Sequence, residues 1–404
     1  MYLSFAWRNI WRNKKRTVIV AASIFFGVIL ACLMRSSQLG SYGYMIHSAA
    51  KMQTGYLQIQ DEEYWENRSL NNSIVIPDSL WHAWQEAAAI SSLTPRLESY
   101  ALVSTDSITK VSPVVGTRPD LEAQMTEVDK KLVAGEWISD GDSSAILAEG
   151  LADRLNVTIG DTVVLYGSGY QGMTAAAKVP VKGLVKLPFP QLNNAMVFLP
   201  LDYAQWVFVA PGRVTSVAVM LDNIRDLEAA RSALQQHMAQ NMVLKSWDEL
   251  MPEMEQSIEI DNASGIIMIG ILYLVIAFGV FGTIMMMTAE REKEWGILNA
   301  VGMRKSRMVA ISILESIAIS FMGTLLGIAG SIPITVYFRN NPIRLSGDMA
   351  FQWEVLGLEP ILPFSADPGI FVYQSLVVLG IALLCSIYPL LFINRLQPVK
   401  ALRK

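Results

Sequence analysis

Four long apolar stretches constrain this chain more than any other feature. The first lies between Arg16 and Arg35 (TVIVAASIFFGVILACLM) and the second between Asp261 and Glu290. The third lies between Arg307 and Arg339, broken only by Glu315, and the fourth between Asp367 and Arg395. About 20 mostly apolar residues suffice to cross the hydrocarbon core of a bilayer. Four such runs in a 404-residue chain with only 17% charged residues imply transmembrane helices rather than core helices of a water-soluble fold. The expected fold class is therefore an α-helical membrane protein with four transmembrane helices, at 17–38, 262–289, 308–338 and 368–394.

Orientation follows from the basic residues at the helix ends. Arg8, Arg12, Lys14, Lys15 and Arg16 precede the first run with no acid among them. Arg291, Lys293, Arg304, Lys305 and Arg307 lie between the second and third runs, against Glu290, Glu292 and Glu294; Arg395, Lys400, Arg403 and Lys404 follow the fourth. The stretch from Arg35 to Asp261 is the reverse, with 16 basic and 28 acidic residues. Both termini (1–16 and 395–404) and the loop 290–307 are thus expected in the cytoplasm, with a large domain (39–261) and a small loop (339–367) on the far side. Tyr2, Leu3, Ala6, Trp7, Ile10 and Trp11 share one helical face, so 1–16 reads as an amphipathic helix on the membrane surface. The run ending Ile29-Leu30-Ala31-Cys32 is also compatible with a lipoprotein signal cleaved before Cys32; the long, patterned basic segment argues for the uncleaved helix. The two cysteines, Cys32 and Cys385, both fall in spans, so the outer domain must rest on its own core.

The outer domain reads as mixed α and β. Tyr56–Gln60 alternates like a half-buried strand, and Asp161–Tyr166 and Ala195–Leu199 are further strands. Ser79–Ala89 and Leu227–Met238 read as helices. Gly167, Gly169 and Gly172 spell G-x-G-x-x-G, but Met173 to Val179 does not open a dinucleotide-binding helix, and a glycine-rich hairpin turn is the better reading. The three histidines, His47, His82 and His237, lack metal-ligand spacing. No Gly-Lys pair is present, so there is no phosphate-binding P-loop. No catalytic constellation, cofactor site or metal site is expected on this chain.

The informative loop is Glu290 to Arg307, which mixes charges with the small residues Gly296, Ala300 and Gly302. Glu290, Arg291, Glu294, Gly296, Ala300 and Gly302 resemble the E-R-x-x-E-x-G-x-x-x-A-x-G signature of the FtsX-like ABC permease family, which includes lipoprotein-releasing, macrolide-exporter and cell-division types. Trp295 replaces the usual aliphatic residue. Glu315 stands where that family has a carboxylate in its third span, and it is expected to pair with an Arg or Lys on the cytoplasmic side. Tyr388-Pro389 and Gln397 to Arg403 are similar to the family's ending. Gly116-Thr-Arg-Pro119, Ala134-Gly135-Glu136-Trp137 and Leu151 to Asp161 resemble its MacB-like periplasmic core domain. Ser246-Trp247 and the C-terminal residues are most similar to the lipoprotein-releasing branch.

The resemblance implies a permease subunit in the bacterial inner membrane. Its loop 290–307 would contact a dimer of ATP-binding subunits, which would hold the ATP and Mg. It implies a second permease copy, identical or not, surrounding lipid, no nucleic acid, and a lipoprotein cargo. Export of another amphiphile, or activation of a cell-wall hydrolase in a division module, remains open. In one arm of the branch a periplasmic carrier docks where this chain has Pro211 and Gly212, although the segment here is short and also reads as a plain turn. Gly323 and Gly327 form a small-xxx-small face for close helix packing, within the chain or across a dimer.

Overall fold

The structure is a computed structural model and describes Trp11, residues 14–355 and residues 357–395, apart from the side chain of Arg16. Most of the expected surface helix at 1–16, and the tail beyond Arg395, lie outside the described residues. Chain contacts divide the molecule into two compact units.

The helical unit comprises the chain through Gly43, Ser257–Arg344 and the chain from Ile361 onward. Among the described residues, four stretches are long and apolar enough to cross a membrane: Thr17–Thr54, Pro252–Glu290, Lys305–Asn340 and Pro368–Arg395. They are built from α1 (Lys14–Ala49), α7 (Pro252–Glu290), α9 (Lys305–Asn340), and α11 (Pro368–Cys385) continued by α12 (Ile387–Arg395). α1 has 36 residues and α7 has 39, or ~55 Å each at 1.5 Å per residue, well beyond a hydrocarbon core of about 30 Å. Charged residues tolerated by a helix outside lipid explain why both run past the apolar stretches. Where they do so, a polar network replaces apolar packing. Arg35 donates to Gln38 at 2.7 Å and to Asn262 at 2.9 Å, and the Tyr42 hydroxyl donates to Asp261 at 2.5 Å.

The other unit comprises Tyr44–Gln256 and Leu345–Pro360. The second segment was expected as part of a separate small loop. Here Trp353 stacks on Tyr44, with ring centroids 6.2 Å apart, and Gly357, at φ +73°, lies so close to Phe189 that a Cβ would approach to 2.5 Å. Ten strands form the sheet: β1 (Leu57–Asp61), β2 (Ile90–Ser104), β3 (Thr109–Thr117), β4 (Leu132–Gly135), β5 (Ala145–Ala148), β6 (Thr162–Ser168), β7 (Thr174–Val185), β8 (Val197–Pro200), β9 (Ser216–Leu221) and β10 (Met242–Ser246). Pairing runs in order β10-β1-β9-β2-β3-β8-β5-β7-β4, and β6 pairs with both β2 and β7. That last pairing closes β2-β3-β8-β5-β7-β6 into a ring. Closure leaves an interior for alternate side chains; Leu97, Val103, Val114, Ile146, Leu165 and Val179 are among those buried in this core.

Outside the ring, β9, β1 and β10 extend β2 as an open sheet. α2 (Asp78–Gln85), α3 (Pro119–Thr126), α4 (Glu149–Leu155), α5 (Leu201–Val207), α6 (Leu227–Gln235) and α10 (Asp348–Val355) complete the unit. The alternation in β1 suggested one wet face, yet Gln58 and Gln60 are buried with Leu57 and Ile59. β1 lies between two strands and is covered on both sides, which a period-two pattern cannot reveal. The glycines at 167, 169 and 172 form the hairpin between β6 and β7, where Ser168 pairs with Thr174 and Gly172 takes φ +76°.

Candidate functional site

The loop between α7 and α9 is a short helix, α8 (Glu292–Ala300), set off by Arg291 at its start and a turn at Gly302. Gly302 adopts φ +99° with open space around it, so its glycine is needed for the backbone conformation. Gly296 is buried within the chain's own fold.

Two buried residues hold α8 in place. Arg291 is 5% exposed and donates from Nη1 to Glu315 Oε2 at 2.6 Å; its Nε lies 3.6 Å from Glu294. Its guanidinium sits 5.4 Å from the centroid of the Trp295 ring. Trp295 is 4% exposed and packs with Met308, Ile393 and Phe392. Lys305 donates to the carbonyl of Asn394 at 2.9 Å. The aromatic departure from the family pattern thus fills a pocket between α8, α9 and α12.

With that face inward, the opposite face of α8 turns away from the rest of the helical unit. Glu290, Lys293 and Ala300 are exposed. Ile297 is 49% exposed and Val301, just past the end of α8, is 83% exposed. These aliphatic side chains stand beside charges on a face that the helical unit does not cover. The motif reading weighed the small and charged positions only and passed over both; their i, i+4 spacing was the available signal.

The other expected positions fall elsewhere. A Cβ on Gly323 would stand 2.8 Å from the carbonyl oxygen of Ala21, and one on Gly327 2.7 Å from Val28 Cβ. This small face therefore packs against α1 of the same chain. In the extramembrane unit, Pro211 and Gly212 (φ +64°) form a tight turn after α5. Gln205 clasps it, accepting from the Gly212 N–H at 3.3 Å and donating to Arg213 O at 2.9 Å. Arg213 covers the Tyr170 ring at 4.3 Å and donates to Ser73 O at 2.8 Å. Beside the turn, Trp206 is 65% exposed and stacks on Tyr203.

Residues 17–237 match the family model described as the MacB-like periplasmic core domain. The chain belongs to that family. Residues 266–398 match the FtsX-like permease C-terminal model, so this MacB-like chain is an ABC permease of the FtsX-like type. It is 22% identical to the lipoprotein-releasing system transmembrane protein LolC of Neisseria meningitidis, over 97% of this chain and 96% of that one. It is also 22% identical to the lipoprotein-releasing system transmembrane protein LolE of Haemophilus influenzae, over 79% and 78%. The crystal structure of the periplasmic region of MacB from Actinobacillus actinomycetemcomitans aligns over 52% of this chain and 95% of its own, with 16% identity and a TM-score of 0.37.

Proposed function

We propose that this MacB-like permease is a mechanical element of an ABC transporter that moves a lipoprotein. A separate pair of ATP-binding subunits, holding the ATP and Mg, docks on α8. The observation that carries this reading is the two-sidedness of α8: Arg291 and Trp295 anchor one face to α9 and α12, while Ile297, and Val301 just past the helix end, stand exposed on the other. A push on the exposed face is transmitted through a buried ion pair rather than lost in a floppy loop. Helices as long as α1 and α7 then carry the movement beyond the bilayer. The lipoprotein cargo is supported by the similarity to LolC over 97% of this chain and to LolE over 79%, and a second permease copy completes the membrane part. The turn at Pro211 and Gly212, with Trp206 exposed beside it, offers a place for a periplasmic carrier.

In this reading the protein sits in the inner membrane with α8 and both termini in the cytoplasm and the MacB-like unit in the periplasm. Impermeant labelling of single cysteines checks the orientation: positions 67 and 130 react from outside and position 293 does not. The docking itself is tested by Ile297→Glu and Val301→Glu in nanodiscs. Both side chains are exposed, so the permease stays folded while the ATP-binding subunit no longer co-purifies and its turnover is no longer stimulated. Retention and stimulation at wild-type levels would rule out α8 as the docking element.

A further inference from the structure

The buried face of α9 is unusually polar for a helix long and apolar enough to cross a membrane. Ser316, Ser320, Thr324, Ser331 and Thr335 are all buried on it. Gly323 and Gly327 on the same face bring the helix onto the backbone of α1. Hydroxyls in membrane helices commonly satisfy themselves by donating to the carbonyl one turn back. Others in this unit do so, on the outside and in the interior alike: Ser23 to Ile19 at 3.0 Å, Thr283 to Gly279 at 2.7 Å, and the buried Thr288 to Ile284 at 2.7 Å and Ser386 to Ala382 at 2.8 Å.

Ser316, Thr324 and Thr335 do not. They are 4%, 5% and 0% exposed, and their hydroxyl oxygens have no hydrogen-bond partner among the described residues. They recur at ~12 and ~17 Å along the helix. On the neighbouring helices, Ser375 of α11 is 3% exposed, and the fully buried Cys32 thiol of α1, a weak partner, lies within reach of Ser331 and Ser375. Polar groups left unmet inside a bilayer are costly, and irregular polarity at membrane depth is tolerated where water reaches it.

We propose that the seam where α9 meets α1 and α11 is hydrated, with water molecules entering between the helices to serve Ser316, Thr324 and Thr335. The water makes the seam a sliding contact. Small residues at 323 and 327 keep the helices close, and each hydroxyl exchanges one water for another as α9 shifts. The cytoplasmic end of the seam is Glu315, which Arg291 links to α8, so displacement of α8 acts directly on the hydrated face.

Cysteine accessibility in nanodiscs tests this. In a Cys32→Ala, Cys385→Ala background, Thr324→Cys places a thiol in the seam, and Leu325→Cys places one on the adjoining face, where Leu325 is 49% exposed. A small charged methanethiosulfonate reaches only thiols that water reaches. The seam position should react at least about tenfold faster than the lipid-facing one, since lipid excludes the reagent. Equal rates would overturn the proposal. If Thr324→Cys does not insert, the native Cys32 in a Cys385→Ala chain carries the same test. Modification of the folded protein supports hydration; modification only after denaturation in SDS overturns it.

Discussion

Arg291 and Glu315 are 24 residues apart and meet at 2.6 Å, with side chains 6% and 4% exposed. One stands between α7 and α8, and the other lies about three turns into α9. Removing one member of a buried pair leaves a charge with no counterpart and typically costs about 3–5 kcal/mol, while replacing both by apolar groups costs far less. Glu315→Gln and Arg291→Met should each lower thermal stability strongly, and the Arg291→Met, Glu315→Met double variant should recover much of the loss. Thermal unfolding in detergent measures the cycle. Stimulation of the ATP-binding subunit should stay low in all three variants, because the double variant restores packing but not the directional link to α8.

The glycine faces separate packing from open space. Gly327→Ile pushes side-chain atoms into Val28, and overpacking costs about 1–3 kcal/mol. At Gly279 an added Cβ meets nothing within 4 Å, so Gly279→Ala should leave the stability of the single chain unchanged or slightly raised. Parallel melting curves distinguish the two; equal losses would mean that the small face at 323 and 327 does not hold α9 to α1.

In the extramembrane unit, Arg96 and Glu122 form a second buried pair, with Arg96 Nε and Nη2 donating to the two carboxylate oxygens at 2.9 and 2.6 Å. Arg96 also donates to the carbonyl of Gln53, in the π-helical turn Ala50–Thr54 that follows α1. Arg96→Lys keeps the charge but cannot make the fork. It should destabilise this unit and speed hydrogen exchange in residues 50–54, measured by mass spectrometry. Unchanged exchange there would show that Arg96 does not tie down that turn.

Glu127 supplies a pH signature. Hydrogen bonds from Lys130 and then Lys51 hold its carboxyl down at about 2, below the ordinary 4.5. A depressed folded-state pKa means that the carboxylate form is favoured by folding. The contribution is complete above about 4.5 and lost as pH falls towards 2. Glu127→Gln should therefore melt slightly lower than wild type at pH 7, by a small amount because the cluster is solvent-screened. The gap should narrow steadily as the buffer is taken from pH 4 towards pH 2. A gap of unchanged size at pH 2.5 would assign the effect to packing.

The sequence by itself determined four spans and a mixed α/β domain, because a long apolar run has few alternatives. It also marked α8, through charged and small residues at fixed spacing, and the hairpin at Gly167–Gly172 through its glycines. Tertiary structure alone decided which residues meet. That Glu315 pairs with Arg291, that Trp295 fills a pocket against Phe392, that Gly323 and Gly327 face α1, and that β6 closes a ring with β2 all depend on distant segments being brought together. Local periodicity carries no information about partners. The same limit explains β1, whose glutamines looked solvent-facing until strands on both sides and cover on both faces buried them.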